Sequence, residues 1–510
     1  MVILALVPYL ALSGALGPIT PFIAKDLHLS AQAMSLTSGF ANAGYAVGTV
    51  LAVQFAQHLP QRRMLLLYAT LLVIGSVLAA AASAPGVFIA GHVLQGLCTS
   101  LLLIAAVPPL VIGYGVEKLR WTAMILNMCI FGAVALGPVI GGIQAQSHGW
   151  RPLFWVIAGI AVGALVLAIL TFEDSPPADR TAPRDPTVIA LAAGGCALAF
   201  FGASELLTHP FVDTSTLLPL LVGLALIVFL LVHEYTSKRP LLCLRALNST
   251  LPVAGITAAI CAAAASVSTI TLISVLLTGK LTPLHLGLLQ LPEFGGAVVT
   301  AIGLGLVFST RFLHFYVLTG LLFLAAGTVV LVAQIPPAEG ATAVGSGLVG
   351  FGVGASVAPA LFIAGFSLRS SNIQRVFAII ELLRAIAAFM IAPVLLHFAM
   401  TVGGNVNTGT RIALWICFGL ALGGALLGVS LYALGGVRRP PAPSLERWTS
   451  GEAPGWASPP LFAAIRKRAT EPALVQAVAD ASTDHDGSRA APPSAQPVSE
   501  EPPAGRRRPD

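Results

Sequence analysis

Residues 124–143 read MILNMCIFGAVALGPVIGGI, twenty positions without a charged side chain. The stretch closes on Gly137-Pro138-Val139-Ile140-Gly141-Gly142 and Ile143. Proline removes a backbone donor and clashes with the preceding turn, and glycine offers no side chain to stiffen a helix. In water such a segment is a poor helix. In a bilayer, neighbouring helices re-satisfy the freed backbone groups, and small residues let two helices approach closely. The stretch therefore predicts a kinked, tightly packed helix that crosses a membrane.

The rest of the chain agrees. Charged residues make up 9% and apolar residues 56%, with a mean hydropathy of +0.88. A soluble domain carries about 25% charge, so this is an all-α integral membrane protein whose first partner is the lipid bilayer. The net charge of +6 is no sign of nucleic-acid binding, because 19 of the 48 charges fall in the last 75 residues. Cys98, Cys129, Cys196, Cys243, Cys261 and Cys417 are scattered singly. Without a CxxC pair or a cysteine–histidine cluster, neither a disulfide framework nor a metal site is expected. The chain starts inside an apolar run, without a basic arm or a small-residue cleavage site. A retained first helix is therefore expected and a removed signal peptide is not. The missing arm reads either as a compact start or as a start codon assigned too far downstream.

A membrane span needs about 20 largely apolar residues. Fourteen stretches qualify: 2–24, 34–56, 64–83, 86–114, 122–144, 153–172, 187–206, 215–233, 251–277, 286–308, 314–334, 342–366, 376–400 and 411–435. Glu205, His209 and Asp213 crowd the link between the seventh and eighth, and removing both leaves a twelve-helix alternative. With the amino terminus inside, inner loops hold Arg62, Arg63, Lys118, Arg120, Arg180, Arg184, Lys238, Arg239, Arg245, Arg311, Arg369 and Arg375. Outer loops hold only Lys25, Arg151, Lys280 and Arg411. Twelve against four follows the positive-inside rule. It predicts a multi-pass protein of the cell membrane with both termini cytoplasmic.

Fourteen spans divide into two six-helix halves plus an inserted pair, as in transporters built from parallel repeats. An internal echo supports the division: Leu136-Gly137-Pro138-Val139-Ile140 against Ile391-Ala392-Pro393-Val394-Leu395. The expected units are 1–172 and 251–435 for the halves, 173–250 for the inserted pair and its flanking loops, and 436–510 for a disordered cytoplasmic tail. Proline, alanine and arginine enrich that tail. Residues 460–481 could add a short helix, with Arg466-Lys467-Arg468 touching anionic headgroups; a solvated tail is the plainer reading.

The hexapeptide Gly137 to Gly142, followed by Gly149-Trp150-Arg151-Pro152-Leu153-Phe154-Trp155, resembles the antiporter motif and next loop of the major facilitator superfamily. The fourteen-helix layout is similar to that of its drug:proton antiporter branch. Arg239-Pro240-Leu241-Leu242-Cys243-Leu244-Arg245 resembles the branch's loop before the ninth helix, and Arg384 falls where the branch has an arginine in the thirteenth. The resemblance covers about 1–435. It implies a major-facilitator-type bundle of about 14 transmembrane helices, with Gly137, Pro138, Gly141 and Gly142 as the conformational motif.

Three departures qualify it. The family's loop between the second and third helices carries an acid that helps latch the inward side; here that position is Gln57, and only the trailing Arg62 and Arg63 survive. The fourth-helix motif, which implies an arginine before a glutamine–glycine pair, reads Gly91-His92-Val93-Leu94-Gln95-Gly96. The branch's first-helix aspartate aligns with Leu12.

Ionisable groups inside spans are costly, about 2.5–3.5 kcal/mol at the centre on insertion scales, and so default to functional candidates. His92 is one, because histidine titrates near neutral pH; a neutral histidine hydrogen-bonded between helices is the plainer alternative. Glu293 follows Pro292 in the tenth span, either as a buried proton carrier or as a hydrated group near the outer mouth. Glu381 and Arg384 lie three apart and so share one helix face. They read as a pre-formed ion pair, or as one that substrate or proton binding breaks and remakes. Gly345 to Gly354 alternates glycine with other residues and reads as close helix packing. Its GxGxxG-like spacing lacks a βαβ context, and no GxxxxGK[ST] loop is present.

The expected function is secondary active transport without a cofactor or catalytic residues. The resemblance implies proton-coupled efflux of a small hydrophobic or amphipathic compound by alternating access, with a monomer as the working unit. Glu293, Glu381 and His92 are the proton-coupling candidates, and Arg384 is the charge partner. The alternatives are an uncoupled facilitator or importer of a small metabolite, and a non-transporting membrane protein that binds lipid or a partner.

Overall fold

The computed structural model describes residues 2–113, 116–172, 177, 184–435, 442–451 and 453–466. Among them, fourteen helical segments are long and apolar enough to cross a membrane, one for each expected span. The first half holds α1 (Val2–Asp26), α2 (Ala31–His58), α3 (Gln61–Ala80), α4 (Pro85–Gly113), α5 (Val116–Gln146) and α6 (Arg151–Thr171). The inserted pair is α7 (Pro186–Glu205) and α8 (Thr214–Thr236). The second half holds α9 (Thr250–Leu277), α10 (Pro283–Gln290), α11 (Pro292–Val307), α12 (Leu313–Ala333), α13 (Glu339–Phe366), α14 (Ile373–Thr401) and α15 (Val406–Leu434). A short helix, α16 (Leu445–Thr449), follows.

The seventh and eighth spans both form. Asp185 caps α7, its side chain accepting from the Thr187 and Val188 amides, and Asp213 caps α8 through the Ser215 amide. The polar residues that crowd this connection thus supply helix starts, because a side-chain oxygen satisfies donors that the first turn leaves open. The tenth span differs from expectation. It breaks at Leu291 into α10 and α11, since Pro292 has no amide to continue the ladder.

Within the first half, α1 packs on α5, α2 on α4, and α3 on α4 and α6. Within the second, α12 packs on α13, while α9 touches α13, α14 and α15. The halves meet along two seams, α5 against α10 and α11, and α2 against α14. The inserted pair packs together, and α7 leans on α2. Large apolar side chains such as Val156, Leu170, Val228 and Phe229 are exposed on α6 and α8, where a bilayer would cover them. The end with the α2–α3, α4–α5 and α8–α9 loops is called the basic end below, after its arginines and lysines.

The tail requires a correction. Its expected start at residue 436 is too early, because residues 442–451 and 453–462 fold onto the body. The Trp448 indole donates to the Gly365 and Leu368 carbonyls at 3.2 and 3.0 Å. The Trp456 amide donates to Phe366 O, the Thr250 amide to Pro459 O and the Leu461 amide to Asn248 O. Both indoles pack on the Phe366 ring, with centroids 5.0 and 5.8 Å away. Two buried tryptophans outweigh a polar average composition, because each brings roughly 150–250 Å² of area under cover. Most of the helix expected over 460–481, and the disorder expected beyond it, lie outside the described residues.

Candidate functional site

α14 places Glu381 and Arg384 on one face, and they pair: Arg384 Nη2 lies 2.6 Å from Glu381 Oε2, and Nε lies 3.1 and 3.0 Å from the two oxygens. The first half supplies a third member. Tyr45 of α2 donates to Glu381 Oε2 at 3.3 Å, and its oxygen lies 3.3 Å from Arg384 Nη2. The Tyr45 ring stands edge-on to Phe389, with centroids 6.2 Å apart. Glu381 and Tyr45 are buried, so the triad closes the α2–α14 seam out of water. A charge left there without its partner would cost about 3–5 kcal/mol. The arrangement holds two opposite charges in register and ties them to the other half through one hydroxyl.

Glu293 lies in the first turn of α11, just past the Leu291 break. It sits ten residues into the span that starts at Pro283, about 15 Å along the helix. Its side chain is buried and makes no hydrogen bond or ion pair among the described residues. A helix start favours negative charge. α13 presses on the same turn: a Cβ added at Gly350 would fall 2.1 Å from Glu293 O, and one at Gly296 would fall 2.5 Å from Gly347 O. The glycine run of α13 thus packs as expected of small residues in a membrane.

His92 lies elsewhere. Its Nδ1 is 3.2 Å from Gln95 Oε1, and Gln95 Nε2 donates to Ser76 Oγ at 3.1 Å. The ring stacks on Phe88 at 6.0 Å and lies 5.9 Å from Tyr9. These partners belong to α1, α3 and α4, so the first half encloses His92 away from both seams, with Leu12 also buried. A Cβ at Gly96 would meet Ala41 O at 2.3 Å, which explains the glycine after Gln95. Arg62 Nη2 donates to Ile169 O at 3.1 Å, joining α3 to α6, while Arg63 is exposed and Gln57 is buried.

The hexapeptide of α5 serves two faces. Toward α1, a Cβ at Gly137 would fall 2.5 Å from Gly14 Cα, and one at Gly141 would fall 2.4 Å from Ala15 O. Toward α10, a Cβ at Gly142 would fall 2.7 Å from Leu284 Cα, and one at Gly287 would fall 2.6 Å from Pro138 O. The motif therefore sits where the first half's own packing meets the seam with the second half, at the end opposite the basic one.

Three polar groups escape a reading by sequence. Tyr45 is hidden among small residues as an ordinary aromatic. Asn127 lies inside the opening stretch and donates to Gly354 O of α13 at 3.1 Å, which ties the two halves at mid-depth. Glu205 reads along the sequence as an obstacle to the seventh span. It is a buried acceptor, with Gln32 Nε2 at 3.0 and 2.9 Å and His209 Nδ1 at 2.8 Å. A lone amide in a span was the available signal for Asn127, and a carboxylate at the end of the seventh span was the one for Glu205; nothing local marks Tyr45.

Residues 2–317 match the family model of the Major Facilitator Superfamily. A multidrug resistance protein B homolog of Mycobacterium tuberculosis (strain H37Rv) is 26% identical over 366 residues, 67% of this chain and 65% of that protein. Multidrug resistance protein MdtL of Escherichia coli is 26% identical over 166 residues, 32% of this chain and 42% of MdtL. YubD of Bacillus subtilis (strain 168), an MFS-type transporter, is 25% identical over 192 residues, 36% of each chain. The chain thus spans about one third to two thirds of the length of these relatives. The solved proton:xylose symporter XylE, bound to 6-bromo-6-deoxy-D-glucose, shares the fold. Its TM-score is 0.59 at 14% identity, over 84% of this chain and 94% of that one.

Proposed function

The chain belongs to the major facilitator superfamily, and we propose that it exports small hydrophobic or amphipathic compounds in exchange for protons. The observation that carries this reading is the Tyr45–Glu381–Arg384 triad, a buried ion pair bonded across the seam between halves. In alternating access, residues 1–172 and 251–435 rock as units about a central site. Rocking draws α2 from α14 and takes Tyr45 off the pair. A proton on Glu381 then neutralises the carboxylate and releases Arg384, so the charge state of the triad and the side that is open are linked. Glu293, buried and without a partner among the described residues, is the second proton site. His92, enclosed within the first half, is assigned to packing.

The sparse charge of the spans favours apolar or weakly charged substrates, and two relatives are named as multidrug resistance proteins, which supports efflux. The basic loops support a cell-membrane location with both termini cytoplasmic. One residue favours a second reading, uncoupled transport: Gln57 stands where the family's latch has an acid.

The test is ethidium flux in proteoliposomes under an imposed pH gradient, with a lumenal pH dye reading proton movement. Antiport predicts ethidium entry into an acid lumen and matching alkalinisation, with the coupling lost in Glu381→Gln. Ethidium flux that ignores the gradient overturns the antiport reading. Unchanged coupling in both Glu381→Gln and Glu293→Gln overturns the site assignment.

A further inference from the structure

Three donors meet at the basic end of the inserted pair, away from both seams. Asp185 caps α7, while His233 and Glu234 stand in the last turn of α8. One ligand atom from each lies within 4.8 Å of the other two. His233 Nε2 is 3.5 Å from Asp185 Oδ2, close to the roughly 3.3 Å between donors that tetrahedral bonds of about 2.0 Å require.

Each carboxylate also has one oxygen that accepts no backbone amide among the described residues. Asp185 Oδ1 is occupied by the Thr187 and Val188 amides at 3.1 and 3.2 Å, and Oδ2 faces His233. Glu234 is 0% exposed; its Oε2 accepts the Leu242 amide, and among the described residues its Oε1 has no hydrogen-bond partner. Arg245, in the short helical turn that follows, spends its guanidinium on the Tyr235 and Thr236 carbonyls. Two carboxylates this close, one of them fully buried, repel unless one takes up a proton or a positive charge sits between them.

We propose that Asp185, His233 and Glu234 bind a divalent transition-metal ion of the Zn²⁺ class. One imidazole and two carboxylates suit such an ion, with water as the fourth ligand. Mg²⁺ and Ca²⁺ take six or more oxygens and are disfavoured by the imidazole. The ion staples the start of α7 to the end of α8. Through the Leu242 amide on Glu234 it also holds the loop that leads into α9. Gln54 Oε1 accepts the Asp185 amide at 3.4 Å, which links the site to the end of α2. The donors are 48 residues apart in sequence, so a search for closely spaced metal-ligand motifs passes over them.

The experiment uses the full chain, purified without a polyhistidine tag, stripped with a chelator and titrated with Zn²⁺ alone by calorimetry. Co²⁺ absorption reads the coordination geometry. The expected result is one ion per chain, with affinity at least tenfold weaker in Asp185→Asn, His233→Gln and Glu234→Gln. Asp185→Asn keeps the helix cap, and Glu234→Gln keeps the acceptor for Leu242. His285→Gln, which alters a histidine paired with Glu339 elsewhere, should bind as the parent does. Zn²⁺ should raise the thermal midpoint of the parent and leave that of His233→Gln unmoved. The proposal is overturned if the parent binds no Zn²⁺, or if the three variants keep parental affinity.

Discussion

Replacing Gly142 with alanine tests whether the hexapeptide is a joint between the halves. The added Cβ would lie 2.7 Å from Leu284 Cα, 2.8 Å from Pro283 O and 3.0 Å from Leu284 N. All three are backbone atoms of α10, so no side chain can turn aside. Ordinary contact begins at 3.4 Å, and α5 and α10 must therefore part by about 0.7 Å at the crossing. Overpacking of this kind costs about 1–3 kcal/mol. The cost falls only on the state in which the crossing is closed, so the open state gains roughly 5- to 150-fold in relative population. Gly137→Ala provides the contrast. Its Cβ would fall 2.5 Å from Gly14 Cα, inside the first half, and should lower stability by a similar amount without opening the seam. Spin labels at Ser147 and Lys280, both exposed at that end, would read the separation by double electron–electron resonance once the six native cysteines are replaced. Gly142→Ala should populate a longer distance that is scarce in the parent and in Gly137→Ala. Identical distance distributions in parent and Gly142→Ala would refute the reasoning.

Other outcomes follow from the same structure. Glu381→Gln and Arg384→Gln should each destabilise the purified protein by about 3–5 kcal/mol, and the double variant by much less than their sum. Thermal unfolding of the four proteins gives the coupling, and additive losses would deny a buried pair. Trp448→Ala removes a fully buried indole, at about 3–5 kcal/mol. It should free residues 442–462 for cleavage by a protease that leaves the parent intact. Gly163→Ala, whose Cβ would meet nothing within 4 Å, should leave stability unchanged or raise it by up to about 1 kcal/mol. Hydrogen bonds from Ser215, the backbone one first, hold the Asp213 carboxyl below its ordinary value. Its support of α8 is therefore full above pH of about 3.9 and lost as pH falls through the lowered value. Hydrogen exchange over the first turn of α8 should quicken in acid, and Asp213→Ala should remove that acid step.

The spans were legible because crossing a bilayer is a local demand. Nearly every backbone group in lipid is satisfied within its own helix, and that requires a long apolar run wherever the chain crosses. Hydropathy therefore marked fourteen spans and most of their ends to within a few residues, even where Glu205, His209 and Asp213 interrupted the pattern, but not the break at Leu291. It also marked residues 124–143 as a close-packed helix and placed Glu381 and Arg384 on one face, since helix periodicity is local too. The tertiary structure decided which polar groups meet. Tyr45 reaches Glu381 across 336 residues of sequence, and Asn127 reaches Gly354 across 227. Folding alone brings Asp185 to His233, and Trp448 to the carbonyls at the end of α13. Hydrogen bonds and ion pairs act over a few ångströms, and no periodicity along one helix carries the distance to another. For the same reason the sequence left His92 between a proton site and a packed neutral histidine, and only the fold supplies its neighbours Phe88, Gln95 and Tyr9.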